Sequence, residues 1–198
     1  MTDKRDYLDN LIIKYLNNRN LQIAVSDKKN YSRKEFKNKV LNYKSRLEKI
    51  WNIEKKTKSR GVGILLERNS DYIATIFAAW LAKGFYLPLS LNSPKRNIDY
   101  QLKYSGVTAL VSQKKNKIDF SRHAFRKNNI PKIISNNYKK IAYVIFTSGS
   151  TGEKKGVCIS RENLISYFKG IKVIFNKKFI NLVRSKQLRI NSDCKVFK

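Results

Sequence analysis

Residues 143–157 read Tyr-Val-Ile-Phe-Thr-Ser-Gly-Ser-Thr-Gly-Glu-Lys-Lys-Gly-Val, a composition suited to holding phosphate oxygens. Thr147, Ser148, Ser150 and Thr151 offer hydroxyl donors that rotate to suit an anion. Gly149, Gly152 and Gly156 permit positive φ and close backbone approach, so successive N–H groups can turn toward one ligand. Lys154 and Lys155 add mobile positive charge. The spacing is not that of a Walker A loop, because no glycine here is followed by four residues and then Gly-Lys-Ser/Thr. Nor is there a Gly-x-Gly-x-x-Gly dinucleotide fingerprint.

Such a loop must be held by regular elements, and its flanks provide them. An apolar run at 141–146 reads as a strand, and 156–159 reads as a second, shorter one. Ser160 then opens Ser-Arg-Glu-Asn, a helix start with Ser160 as N-cap and Glu162 in the first turn. The competing reading, a flexible Ser/Gly linker, fits poorly between two apolar runs.

The segment resembles the signature loop of the adenylate-forming superfamily (AMP-dependent synthetases and ligases), whose pattern is close to Tyr/Phe-Thr-Ser-Gly-Ser-Thr-Gly-x-Pro-Lys-Gly-Val. It matches from Thr147 to Gly152 and at Lys155, Gly156 and Val157, whereas Lys154 stands where the family usually has proline. Losing that proline costs up to about 1 kcal/mol of preorganisation and removes no donor. Two further stretches are similar to the family. Trp80-Leu-Ala-Lys-Gly-Phe-Tyr-Leu-Pro-Leu89 looks like the first core motif of adenylation domains, matching at Ala82, Tyr86, Pro88 and Leu89 and departing at Trp80, Lys83 and Phe85. Tyr31-Ser-Arg-Lys-Glu-Phe36 is similar to the stretch that begins the family's first long helix. Residues of roughly 20–170 follow the family in order, with a slight lean toward peptide-synthetase-type amino-acid adenylation domains.

Patterning elsewhere agrees with an α/β domain. Ser32-Arg-Lys-Glu35 is a capping box, and Phe36, Val40, Tyr43, Leu47, Ile50 and Trp51 follow at helical spacing. Residues 61–66 read as a buried strand. Ser70 is a candidate cap for a second helix, whose stripe is Ile73, Ile76, Phe77, Trp80 and Leu81. Residues 85–89 form another strand, Ser93-Pro94 opens a third helix with proline at its first position, and 107–111 is a further short strand. Residues 114–129 carry no firm pattern, and 131–134 reads as a strand. Strand and helix alternate, so the expected class is α/β: a mostly parallel sheet with covering helices, here the incomplete N-terminal portion of an adenylate-forming large domain. The expected division is a partial adenylation domain at 1–170 and a basic segment, continuation or tail, at 171–198.

Composition restricts the remaining classes. The chain has 198 residues, 41% of them hydrophobic, enough for one domain with a core. Lys plus Arg number 43 against 14 Asp plus Glu, a formal net charge of +29. The lysines occur as scattered doublets rather than on one arm, which favours compositional drift over dedicated nucleic-acid recognition and implies incidental, salt-sensitive polyanion binding. Two cysteines, Cys158 and Cys194, form no disulfide framework or zinc site, and the polar N-terminus resembles no signal peptide. A cytoplasmic chain without membrane association is expected. His123 is expected to be an ordinary surface histidine.

The resemblance implies ATP and Mg2+ as cofactors and a carboxylate, amino acid or acyl acid, as substrate. It assigns phosphate contact to Thr147, Ser148, Gly149, Ser150, Thr151, Gly152, Lys155 and Gly156, with Lys155 also placed as catalytic through the charge it brings to the phosphates. The family's adenine platform, ribose-binding aspartate, magnesium ligand, acyl pocket and C-terminal catalytic lysine lie downstream of this region. A truncated chain with little turnover alone is therefore expected, with a separately encoded remainder as a candidate partner. Two alternatives stay open: a non-catalytic module that binds ATP or polyphosphate or complements another chain, and a basic nucleic-acid-binding protein.

Overall fold

The computed structural model describes residues 7–18, 23–53, 59–123, 131–148 and 154–174. In chain order the elements are α1 (Tyr7–Leu16), β1 (Ile23–Ser26), β2 (Asn30–Ser32), α2 (Arg33–Ile53), β3 (Gly61–Leu65), α3 (Ser70–Leu81) and β4 (Phe85–Pro88). There follow α4 (Lys95–Tyr104), β5 (Val107–Lys114), β6 (Lys117–Arg122), α5 (Lys132–Asn137), a single 3-10 turn (Tyr138–Lys140), β7 (Ile141–Ser148), β8 (Lys154–Ser160) and α6 (Arg161–Ile174). One six-stranded sheet runs in the order β6-β5-β3-β4-β7-β8, and β1 with β2 forms a small ribbon. The four inner strands pair in parallel, and the outer pairs β5/β6 and β7/β8 are antiparallel. This is the expected α/β class with a mostly parallel sheet.

The two sheet faces bury separate cores. One face carries Val62, Ile64, Ala109, Val111 and Ala142, covered by α1, α2, α3 and α6 through residues such as Ile12, Phe36, Leu47, Ala78 and Leu164. The other carries Phe85, Leu87, Val107 and Val144, covered by Leu102 of α4 and Ile134 of α5. Trp80 of α3 also ties itself to β7, its indole N–H donating to the Ala142 carbonyl at 2.8 Å.

The capping box forms as expected. Glu35 accepts from the Ser32 backbone N–H at 2.8 Å, and the Glu35 N–H donates to the Ser32 hydroxyl at 3.3 Å. At α3, Asn69 is the cap, its side chain accepting from the N–H groups of Asp71 and Tyr72, and Ser70 is the first helical residue. The buried α3 residues are Ser70, Ala74, Thr75, Ala78, Ala79 and Trp80 rather than the whole larger stripe, because small side chains let the helix lie close to its neighbours. Pro94 caps α4 instead of beginning it, with ψ 142 outside the helical range.

Two readings of 107–134 are corrected. Within 114–129, β5 runs on to Lys114 and turns through Lys115 and Asn116, both at positive φ, into β6. That turn type favours asparagine and matches the twist of the strands. Ile118 and Phe120 hide among polar neighbours in β6; Phe120 meets Tyr43 at 4.8 Å and lies under the Arg46 guanidinium at 4.0 Å. Residues 131–134 begin a helix, not a strand. Pro131 supplies the N-cap, Ile134 donates to its carbonyl at 2.8 Å and is buried, and Ile133 faces outward.

The β1–β2 turn is fastened to α3 by Asp27, which accepts from the Ser70 N–H at 2.7 Å. Burial opposes the charge on Asp27. The bonds from Ser70 and Lys29 and the nearby Lys39 charge outweigh it and hold the carboxyl below its ordinary value. Its contribution is therefore present above pH ~4 and is lost as pH falls through the depressed folded value, since the unfolded state binds the proton first. Unfolding free energy measured from pH 5 to pH 2 should fall less steeply in Asp27→Asn than in the parent chain; identical slopes would contradict the assignment.

Candidate functional site

The loop-bearing segment is a hairpin. β7 continues to Ser148 and β8 begins at Lys154, so the strands exceed the runs expected from sequence by two residues at each facing end. Register pairs Phe146 with Gly156, Thr147 with Lys155 and Ser148 with Lys154. Strand alternation then separates two faces. Phe146 packs into the α4-side core, and Tyr143 packs against the α3-side core. Thr147 and Lys155 share the face of Tyr143, and both are exposed. Gly149, Ser150, Thr151 and Gly152 lie outside the described residues. Ser148 and Gly156 are placed by the ladder.

Ser160 ends β8 and caps α6, its hydroxyl accepting from the Asn163 N–H at 3.0 Å. Arg161, the next residue, is buried, with side-chain exposure of 4%. Its guanidinium donates to the carbonyls of Trp80 at 2.9 Å and Gly84 at 3.1 Å and to the Asp9 carboxylate at 3.2 Å. Asp9 also accepts from Lys83 at 2.5 Å. Lys83 sits at φ 59, a conformation that ordinarily favours glycine. The foot of the hairpin is thus locked to α1 and to the end of α3.

The upper end lies along the carboxyl edge of the parallel strands. The segments that follow β3 and β4 bound a cleft of about 570 Å³, lined by Leu66, Arg68, Tyr72, Pro88, Leu89 and Asn92 among others. The helix after β3 covers one sheet face and the helix after β4 the other, the arrangement that opens a ligand crevice in open α/β sheets. The connection after β7 leaves from the same edge, because β7 runs parallel to β4. No motif in the sequence marks this cleft, although the alternation of strands and helices contains the signal for it.

Burial raises the Cys158 thiol and the Tyr86 and Tyr143 phenols, with neighbouring phenols reinforcing the effect on both tyrosines. His123 is half-buried at the end of β6; burial lowers its imidazole and Asp99 opposes that. Among the described residues no helix is long and apolar enough to cross a membrane.

Comparison with known proteins bears on this arrangement directly. The model of the AMP-binding enzyme family matches residues 16–187. The chain belongs to the AMP-binding enzyme family. Among curated relatives, bacitracin synthase 2 of Bacillus licheniformis is 35% identical over 115 residues, covering 54% of this chain and 4% of that protein. Zwittermicin A synthase ZmaJ of Bacillus cereus is 31% identical over 150 residues, covering 66% of this chain and 28% of that protein. The N-terminal subdomain of NpsA from Klebsiella oxytoca, solved with 3-hydroxyanthranilyl-AMSN, superposes with a TM-score of 0.58 at 22% identity, over 78% of this chain and 40% of that one. The Bacillus subtilis O-succinylbenzoate coenzyme A synthetase, solved with AMP, gives 0.55 at 18% identity, over 84% and 45%. The fold is therefore shared with these two solved structures, and this chain spans well under half the length of the curated proteins it matches.

Proposed function

We propose that the β7–β8 hairpin contacts the phosphates of ATP and that the chain is the N-terminal part of a ligase activating a carboxylate, amino acid or acyl acid, as its adenylate. The observation carrying this reading is the pairing of Thr147 with Lys155 on one exposed face, at the carboxyl edge of the parallel strands. In that reaction a carboxylate oxygen attacks the α-phosphorus, an O–P bond forms, and the bond to the leaving pyrophosphate breaks. Thr147 and Lys155 suit the charge that accumulates on pyrophosphate, with Ser148, Gly149, Ser150, Thr151, Gly152 and Gly156 completing the contact. Lys155 is catalytic in this sense of charge stabilisation. Mg2+ would be held largely by the ATP phosphates and by the acidic ligand that the resemblance places downstream; among the described residues no group of three or more His, Cys, Asp or Glu side chains gathers.

We read residues 1–170 as the partial adenylation domain and 171–198 as its basic continuation or tail, in a cytoplasmic setting, with the adenine and acyl sites supplied by further polypeptide. Pyrophosphate exchange by the isolated chain, with ATP and a broad set of carboxylates, should be negligible; clear exchange would refute the need for that polypeptide. In ATP titrations at fixed low salt, Lys155→Ala should weaken binding by about ten- to a hundredfold, as expected for one lost charge-assisted contact. A steep salt slope that responds equally to any lysine replacement would instead favour general polyanion binding, which the net charge of +29 makes the natural competitor.

A further inference from the structure

Helix α4 meets the hairpin through an aromatic contact that the ATP-phosphate reading does not use. Phe146 points away from Thr147 and Lys155, toward the α4-side core. Its ring covers Gly156 on the neighbouring strand, where a Cβ would lie 3.3 Å from the nearest ring atom. Tyr100 meets this ring edge-on, with centroids 6.1 Å apart and planes at 79°. Tyr100 is itself packed against Tyr104 at 4.6 Å, one turn along α4.

We propose that Tyr100 is a positioning residue for the phosphate contact: it holds Phe146 over Gly156 and so keeps the open end of the hairpin in register. The proposal rests on the ATP-phosphate reading. The physical basis is the exposure of the Thr147–Lys155 rung, the step directly beyond Phe146 and Gly156 in the ladder. Ladder ends of this kind open locally at little cost. The nearest side-chain contact is the Phe146–Gly156 step immediately below, where the glycine leaves room for the ring to lie across the partner strand. Tyr100 closes the outer edge of that ring. Removing it exposes Phe146, lets the final rungs separate more often, and lowers the fraction of molecules whose donors stand at binding distance. Apparent affinity falls in proportion to that fraction. Tyr100 is 37% exposed, so the fold itself depends little on it.

The test uses the 198-residue chain, titrated with ATP by calorimetry at fixed low salt, beside thermal unfolding of each variant. Tyr100→Ala should bind ATP roughly two- to tenfold more weakly, the range set by one edge-to-face aromatic contact, with an unfolding midpoint near that of the parent. Tyr100→Phe should restore parental affinity, because the contact is made between the two rings. Should Tyr100→Ala fail to fold, Tyr100→Leu, which keeps bulk but not the ring edge, takes its place with the same expected loss. If Lys155→Ala weakens binding and Tyr100→Ala does not, the positioning role is wrong and the phosphate reading stands. If Lys155→Ala binds as the parent does, the phosphate reading fails and the positioning role falls with it.

Discussion

Asp9→Ala should lower the unfolding free energy by about 3–5 kcal/mol, the scale measured when one partner of a buried ion pair is removed. The loss comes mainly from what remains. Arg161 keeps its carbonyl partners on Trp80 and Gly84, but its charge stays in a site with 4% side-chain exposure and loses the Asp9 carboxylate. Lys83 contributes less, because its side chain is 43% exposed and water screens the pair. Asp9→Asn should therefore recover part of the loss by hydrogen bonding alone. Denaturant unfolding of both variants checks this; a loss under about 1 kcal/mol in Asp9→Ala would show that the guanidinium is solvated in solution. Arg161→Ala, which removes the buried charge itself, should cost less than Asp9→Ala.

Phe85→Ala should be comparably damaging, at about 3–5 kcal/mol, since Phe85 is fully buried in the α4-side core. Its ring also occupies the space where Gly61 lacks a side chain: a Cβ on Gly61 would lie 2.8 Å from Phe85 Cε2 and 2.9 Å from the Val107 Cα. Gly61→Ala alone should overpack this junction at a cost of about 1–3 kcal/mol. The double variant should be less destabilised than the sum, because removing the ring relieves most of the clash that the new methyl creates. The Val107 backbone keeps the compensation incomplete. A double-mutant cycle reads the coupling, expected between about 0.5 and 3 kcal/mol in the compensating direction. Strict additivity would mean that ring and glycine do not share this space.

The sequence made some of these features plain and concealed others for definable reasons. Helix α2 was legible because its cap is local and its apolar residues keep one period over 21 residues. The β7–β8 flanks were legible because two apolar runs bracket a polar, glycine-rich segment. By contrast, β6 has two inward residues, Ile118 and Phe120, among Lys, Asp, Ser and Arg, too few to stand out as an alternating pattern. At 131–134 both isoleucines suggested a strand, while the proline and the orientation of Ile134 toward the core decide for a helix. In the site, Thr147 and Lys155 were nameable from the motif. Tyr100 was not, because a helix and a hairpin 46 residues apart meet there only through tertiary packing. The cleft at the ends of β3 and β4 likewise depends on which sheet face each following helix takes.

The order β6-β5-β3-β4-β7-β8 leaves an antiparallel strand at each margin, and among the described residues neither β6 nor β8 has a neighbour on its outer side. A sheet margin is the kind of surface onto which another extended chain can add. β6 begins with lysine and ends with arginine, and β8 opens with two lysines, so two copies approaching edge to edge bring like charges together. The net charge of +29 enlarges that repulsion to the whole molecule. What composition alone suggested to be drift then has a physical effect: electrostatic repulsion, long-ranged at low salt and cut to about 8 Å at physiological ionic strength, guards margins that no other described element covers.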